Sequence, residues 1–529
     1  MKTRTRKHHL FGLSGLTLLL CAAVLLSLSC GGGGSSKLLD PPPAGAIQLT
    51  VPDVMTIVQN AVTSVNAPMV VAVVDRAGNI LAVFQTPGAP TMSMNFGKMV
   101  RSDDLAVGLA RTAAFFSSDA APLSSRTVRF ISGIHFPPGV AGTANADLYG
   151  IENTNRGCTL APVAGFLPGQ VLNPSLSLDG SFGTGIVTGK KDTNDSDPMA
   201  VNPGGVPLFK PVPNGGVVGG VGVVSTSPEI AEFAALSGSN NSGFLPNPSQ
   251  LPPPGVVIVG GIALPFVNQT TQPAGTAPGA FAGSYEISPT NPGAPPPEKY
   301  LIGPNAGSAL SASDVDEIIM NAVATANITR AVIRLPSDST ARMTIAVSDL
   351  DGTLLGFYRM HDGTVFSADV AASKARNVVW FSAIGVKDLT GVPAGTAVTN
   401  RTVSFGAQPL FPPGIDGSRD GPFFQLYLND TMNPCTQGSD PNGNRSGIVF
   451  FPGSLPLYRN GVLVGGLGVS GDGVDQDDFV TAGAVNAACG AGGPCGVPDF
   501  QAPANIRADQ VVIQNVRLPY LKFPRNPTN

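Results

Sequence analysis

Two variants of one fifteen-residue phrase stand far apart in this chain, RTVRFISGIHFPPGV from Arg126 and RTVSFGAQPLFPPGI from Arg401. A phrase repeated at that distance constrains the fold more than any local pattern, because whatever it builds must be built twice. Its neighbours recur in the same order. LTVPDVMTIVQNAV from Leu49 matches LSASDVDEIIMNAV from Leu310. In the first, Val54, Ile57, Val58, Ala61 and Val62 share one helical face, and in the second Val315, Ile318, Ile319, Ala322 and Val323 do. Both helices open with a capping pattern, Thr50 to Asp53 and Ser311 to Asp314. A hairpin follows in each copy, MVVAVVDRAGNILAVF against MTIAVSDLDGTLLGFY, then a small-residue helix, DLAVGLARTAAFFS against DVAASKARNVVWFS. After the FPPG turn and a long loop come a second hairpin with Asn-Gly at its tip and a closing segment, VVIVGGIALPF or VVIQNVRLPY, expected as a final strand.

The pattern predicts an α+β fold of two tandem domains, each an antiparallel sheet with packed helices. The expected boundaries are a signal peptide at 1–29, a Gly/Ser/Pro tether at 30–48, repeat 1 at 49–267, a Pro/Gly-rich linker at 268–309, repeat 2 at 310–523 and a tail at 524–529. The linker is expected to lie outside both domains, and the domains to dock because their sheet edges need protection.

Composition limits the partners. Charged residues make up 12% of the 529 and the net charge is −4, with no basic block beyond the first residues, so nothing favours nucleic acid. The 65 Gly and 49 Pro belong mostly in loops and linkers. At the N-terminus, basic Lys2, Arg4, Arg6 and Lys7 precede an apolar run from Leu10 to Leu28, the form of a secretory signal. Leu26-Ser27-Leu28-Ser29-Cys30 resembles a bacterial lipobox with Cys30 as the lipidated residue, although Ser27 stands where Leu is usual. The alternative is an uncleaved membrane anchor, the run being almost long enough to span a bilayer. Either way the rest of the chain is expected outside the cytoplasm.

AVSDLDGTLLGFYRM with its following DG, SKARN, and LPLYRNGVLVGGLGVSGDGVDQDD, with weaker partners in the first copy, resemble the GlcG/HbpS-like haem-binding family, also called haem-degrading. The resemblance covers most of both repeats. It implies a profilin-like domain, oligomerisation and, for some members, haem binding. It also makes copy two the functional copy. Copy two has Arg359-Met360-His361-Asp362-Gly363, with His361 inserted into the family's Arg-Met-Asp-Gly, whereas copy one has Gln85-Thr86-Pro87-Gly88. Lys374 of copy two corresponds to Leu109 of copy one.

With His8 and His9 in the signal, His135 and His361 remain. Imidazole is a common haem ligand, so His361 is the candidate iron ligand and the candidate metal site. Taken alone, a histidine at a turn is more often a solvated surface residue. Tyr358, Met360, Arg359 and Lys374 complete the expected cofactor site, the last two as counter-charges for propionates, with Leu354, Phe357 and Trp380 as an apolar slot. His135 has Leu410 as its repeat partner, which argues for packing. VGGLGVSGDG lacks the Lys-Ser/Thr ending of a phosphate loop, and its glycines suit backbone packing better. Asp475 and Asp478 suit a helix cap. No catalytic constellation is legible. A surface-anchored haem-binding protein is thus the first reading, and a structural or interaction module of the same fold without ligand the second.

Outside the cytoplasm exposed thiols pair, and the glycines of CGAGGPCG allow a small loop to close between Cys489 and Cys495. Cys158 and Cys435, at equivalent repeat positions, can pair only if both lie near the pseudo-twofold axis. Peptide mapping under non-reducing conditions is expected to recover Cys489 joined to Cys495; either one joined to Cys435 refutes the assignment.

Overall fold

The computed structural model describes residues 48–156, 177–179, 183–191, 202–210, 216–245, 257–259, 262–293, 297–336, 338–433, 435, 446–485 and 500–528. Cys30, Cys158, Cys489 and Cys495 lie outside these residues, as do the expected lipid site and the Cys489–Cys495 bridge. Cys435 is disulfide-bonded.

The first half runs α1 (Val51–Ser64), β1 (Met69–Asp75), β2 (Ile80–Gln85), β3 (Met92–Asn95), β4 (Lys98–Arg101), α2 (Ser102–Phe116), α3 (Ser125–Phe130), β5 (Gly205–Lys210), β6 (Gly216–Ser225), α4 (Pro228–Asn240), β7 (Val257–Val259), β8 (Ile262–Leu264) and β9 (Ser284–Ile287). The second runs β10 (Tyr300–Ile302), α5 (Ala312–Ala326), β11 (Thr344–Ser348), β12 (Leu354–Arg359), α6 (Ser367–Ser382), α7 (Asn400–Gly406), α8 (Phe424–Met432), β13 (Ser454–Arg459), β14 (Val462–Ser470), α9 (Val474–Val485), β15 (Val512–Ile513) and β16 (Val516–Arg517). Two five-stranded antiparallel sheets result, ordered β5-β6-β1-β2-β9 and β13-β14-β11-β12-β10.

Local chemistry recurs from one sheet to the other. Both expected capping boxes form, at Thr50/Asp53 and Ser311/Asp314. Asp53 and Asp314 are further tied to Lys210 and Arg459 at the end of the neighbouring hairpin strand, each at 2.7 Å. Asn460 and Gly461, with φ of 53° and 79°, make the two-residue turn that Asn-Gly predicts. The repeated phrase gains its meaning here. Arg126 binds Glu232 of α4 at 2.6 Å, and Arg401 binds Asp478 and Asp475 of α9, the latter at 2.6 Å. Asp475 and Asp478 therefore clamp this arginine instead of capping α9. Thr127 and Thr402 donate to the carbonyls of Pro265 and Pro519, at 2.9 and 2.7 Å.

Each sheet buries both faces, so its strands alternate between two cores. Val71 and Val73 of β1 turn outward onto Ile57 and Val58, whereas Val70, Ala72 and Val74 turn inward onto α2. In the second sheet Ile345 and Val347 meet α5 and α9, and Ala346 and Phe357 face α6. The two inner faces share one core, in which the rings of Phe116 and Phe366 stack at 4.0 Å. Docking therefore uses the inner helices, not the sheet edges.

Two sequence expectations are corrected. The stretch 268–309 is no outlying linker: Ser284–Ile287 pairs with β2 and Tyr300–Ile302 with β12, so it supplies an edge strand to each sheet. The closing segments are not sheet strands either. They form short separate hairpins, β7–β8 and β15–β16, before the pinned prolines.

The glycines of β6 and β14 explain how the inner helices sit. A Cβ on Gly222 would collide with the carbonyl of Ala106, and one on Gly468 with the carbonyl of Ala371, so helix backbone rests directly on bare strand. Gly468→Ala and Gly222→Ala are each expected to cost about 3 kcal/mol or more in chemical denaturation, at the upper end for overpacking, because the obstacle is backbone. A loss below about 1 kcal/mol would contradict this close approach.

Candidate functional site

The β12 pleat divides the five residues expected to share a cofactor site. Tyr358 and Met360 point into the outer core, where Tyr358 meets Tyr300 edge-on at 5.0 Å and the Met360 sulfur accepts from the Met343 N–H at 3.4 Å. Arg359 turns the other way and is buried. Its Nε donates to the Gly363 carbonyl at 2.9 Å, and Nη1 lies 3.7 Å from Glu298. Lys374, on α6, also lies on the inner side. The predicted pocket thus does not form as one cavity. Leu354 and Phe357 are buried in the inner core, and the indole N–H of Trp380 donates to Asp388 at 2.9 Å.

His361 differs from the other four in being 33% exposed at its side chain. Its Nδ1 lies 2.6 Å from Glu298 Oε2, and the other oxygen of that carboxylate accepts the Asp362 N–H at 2.9 Å. Burial alone would raise the Glu298 carboxyl. The His361 hydrogen bond, Arg359 and the Asp362 N–H outweigh it and hold the group below its ordinary value. Glu298 comes from the stretch read as linker, so its partnership was hidden in the sequence. The turn sits on the seam between the halves: Asp362 accepts the Asp119 N–H at 2.9 Å and pairs with Arg334 at 2.6 Å. Burial, and next the nearby charge of Asp362, push Asp119 up to about 6.

His135 is buried, its Nδ1 3.1 Å from the Thr143 carbonyl and its Nε2 3.8 Å from Asp416 of the other half. This placement agrees with the packing role expected for it.

The second constellation is Lys374 with Asp477. Lys374 is 0% exposed at its side chain. Its Nζ donates to Asp477 Oδ2 at 3.0 Å and to the Val469 carbonyl at 2.8 Å, and lies 4.9 Å from the centre of the Phe451 ring. The other carboxylate oxygen of Asp477 is buried without a hydrogen-bond partner. Beside it is a cavity of about 30 Å³ lined by Ile131, Leu148, Phe366, Phe451 and Val474, among others. That volume holds about one water and no organic ligand. Burial lowers Lys374 and pushes Asp477 up to about 7, Lys374 opposing the rise and Asp478 and Asp472 adding to it.

The corresponding positions of the first half show what the pair does not do. Its equivalents of Lys374 and Asp477 are Leu109 and Ala231, so both partners are apolar together. The surroundings correspond: a Cβ on Gly204 would approach Ala231, and one on Gly453 would meet Asp477 and Lys374. A sheet and inner helix of this form therefore close without the ion pair.

Comparison with known proteins locates the second half. Residues 310–486 match the family described as "Haem degrading protein HbpS-like", which bears out the resemblance for that stretch. The corrinoid adenosyltransferase PduO of Salmonella typhimurium is 26% identical over 160 residues, 30% of this chain, and that of Citrobacter freundii is 27% identical over the same length. The chain spans 36% of the length of these curated relatives. Among solved structures, the DUF336 protein ORFY of Klebsiella pneumoniae aligns with a TM-score of 0.22 and 18% identity, over 34% of this chain and 90% of that one. A PduOC–haem complex aligns with a TM-score of 0.23 and 23% identity, over 36% of this chain and 99% of that one.

Above pH 7 the pair is ionised and removing one partner leaves the other stranded, so Lys374→Leu is expected to cost about 3–5 kcal/mol at pH 8. Lys374→Leu with Asp477→Ala, copy one's own combination, is expected to recover that loss. The pH dependence has a definite sign. The folded state holds the Asp477 proton up to about 7 against an ordinary value of 3.8, so its contribution is complete below 3.8 and lost as pH rises through 7. Denaturation from pH 4 to 8 should show a flatter profile in the double variant; a double variant as unstable as the single one refutes the account.

Proposed function

We propose that this chain is an extracytoplasmic haem-binding protein built from two tandem profilin-like copies and held to a membrane by lipid on Cys30 or by its N-terminal apolar segment. Copy two is the binding copy and copy one its scaffold. The family matched by residues 310–486 supports the ligand, and the shared order of four strands, β5-β6-β1-β2 and β13-β14-β11-β12, supports the tandem reading.

The observation that carries the proposal is the His361–Glu298 pair. Haem-type iron takes imidazole as an axial ligand, and a metal-binding imidazole typically has its second nitrogen held by a carboxylate. His361 has that arrangement, on an accessible turn, with the Glu298 carboxyl kept ionised by Arg359 and the Asp362 N–H. Arg359 is thus a positioning residue for Glu298. Lys374 and Arg359 are both buried, so neither serves a propionate in this arrangement. Tyr358 and Met360 support the turn from the outer core.

The second reading, a structural module without ligand, draws on the internal satisfaction of Tyr358, Arg359, Met360 and Lys374. Haemin titration of the full chain separates the two. Wild type is expected to give a saturable Soret shift, His361→Ala to lose it, and Glu298→Gln to bind about tenfold more weakly. An unchanged spectrum in His361→Ala refutes the site, and no shift in wild type leaves the structural module.

A further inference from the structure

A cleft of about 400 Å³ opens on copy one, well apart in sequence from His361, between the β3–β4 hairpin, the turn at Ile151–Asn153 and the end of α8. Its size falls in the range of small-molecule sites. The hairpin closes on Phe96 and Gly97, both with positive φ, so that Asn95 pairs with Lys98. Phe96 is buried, with Lys190 Nζ 5.2 Å from its ring centre. Met92, Met99 and Met432 line the walls with Phe96, and Met99 and Met432 are 55% and 57% exposed. Flexible thioethers exposed around one opening suit an apolar body of variable shape.

The polar groups are unequal to their surroundings. Glu152, also lining the cleft, is 3% exposed. One carboxylate oxygen is held by Lys190 at 3.1 Å and by the Thr188 hydroxyl, while Oε2 is buried with no hydrogen-bond partner. A buried carboxylate oxygen left so costs free energy that a donor would recover. Lys98 Nζ and Arg156 Nη1 both donate to the Thr431 carbonyl, at 3.2 and 3.3 Å. Arg156 Nε also donates to the Glu152 carbonyl at 3.0 Å, so the two cations converge on neutral backbone oxygens. Burial, and then the charge of Arg156, lower the Lys98 ammonium, as expected where like charges crowd.

We propose that this cleft binds a zwitterion of the α-amino-acid type with an apolar side chain. Its carboxylate faces Lys98 and Arg156, its ammonium donates to Glu152 Oε2, and its side chain lies against Met92, Met99 and Met432. A purely anionic ligand would satisfy the cations and leave the Glu152 oxygen unmet, and a purely cationic one would do the reverse.

Isothermal titration of the full chain with L-phenylalanine, N-acetyl-L-phenylalanine and L-phenylalanine amide tests both head-group contacts. The free amino acid is expected to bind saturably, and each capped form about tenfold more weakly or worse, since each loses one charge-assisted hydrogen bond. Lys98→Met should abolish discrimination against the amide. Met432→Ser, on the rim, should weaken all three probes together and leave their ratios unchanged. Equal binding of capped and free forms overturns the proposal, as does no binding of the free amino acid. Haemin binding that is lost in Lys98→Met would instead assign the cleft to a carboxylate amphiphile and also overturn it. These variants leave His361 and Glu298 untouched, so this failure is distinguishable from failure of the haem site.

Discussion

Everything inside the two halves depends on helix backbone lying directly on strand backbone. At Gly220, Gly222, Gly466 and Gly468 any side chain would strike a helix carbonyl. With those positions bare, α2 and α6 settle close enough for the inner faces of both sheets to share one core. Arg111 and Arg376, buried at equivalent places on these helices, donate to the carbonyls of Gly78 and Gly352 at 2.9 and 2.8 Å. Each inner helix is therefore fixed at one end of the first hairpin and flattened against the second. A glycine-rich strand is ordinarily weak. Here the lost side-chain packing is returned by proximity, and the motif that superficially suggests a phosphate loop is a packing surface.

The seam between the halves carries a network of charged groups. Arg334 reaches Asp362 and Asp472, and Asp362 in turn accepts the backbone of Asp119. Further along, the Val365 N–H donates to the Phe115 carbonyl at 3.0 Å, beside the Phe116–Phe366 stack. His361 is adjacent to this network in sequence and tied to it through Glu298. His361 thus lies on a turn whose backbone is shared between the halves, to which the first half contributes Asp119 and the buried Arg76, and the first half has Pro87 in the corresponding region.

Much of this was legible in the sequence, for identifiable reasons. The five apolar positions on the Val51–Ser64 helix all proved buried, because a 3.6-residue period has one solution when a sheet lies beneath it. The repeated arginines were visible, but their carboxylate partners on α4 and α9 lie more than seventy residues away and leave no local signal. The segment 284–302 was misjudged because two short strands among prolines alternate only weakly, SYEI being half-exposed on one face and exposed on the other. Helix α8 lay hidden in an expected loop, although Phe424 and Tyr427 are spaced for one buried stripe. The division of the site is itself written in the sequence. Period-two alternation already places Tyr358 and Met360 on the face opposite Arg359, so no strand could have gathered all three into one pocket.

The two halves differ most informatively where two residues differ together. A single loss of Lys374 or Asp477 would strand a buried charge, at a cost comparable to a sizeable part of a domain's whole stability. Copy one carries Leu109 and Ala231 instead, an apolar pair in the same place. The arrangement with one partner alone is the expensive one, and neither half adopts it. The opposite asymmetry appears at the outer rim, where copy one has a methionine-lined cleft floored by Glu152 and copy two contributes the carbonyl of Thr431 and the side chain of Met432 to it. The second half holds the buried ion pair and the exposed histidine, whereas the first half has Leu109, Ala231 and Pro87 there and places charge at a cleft that the shared core does not constrain.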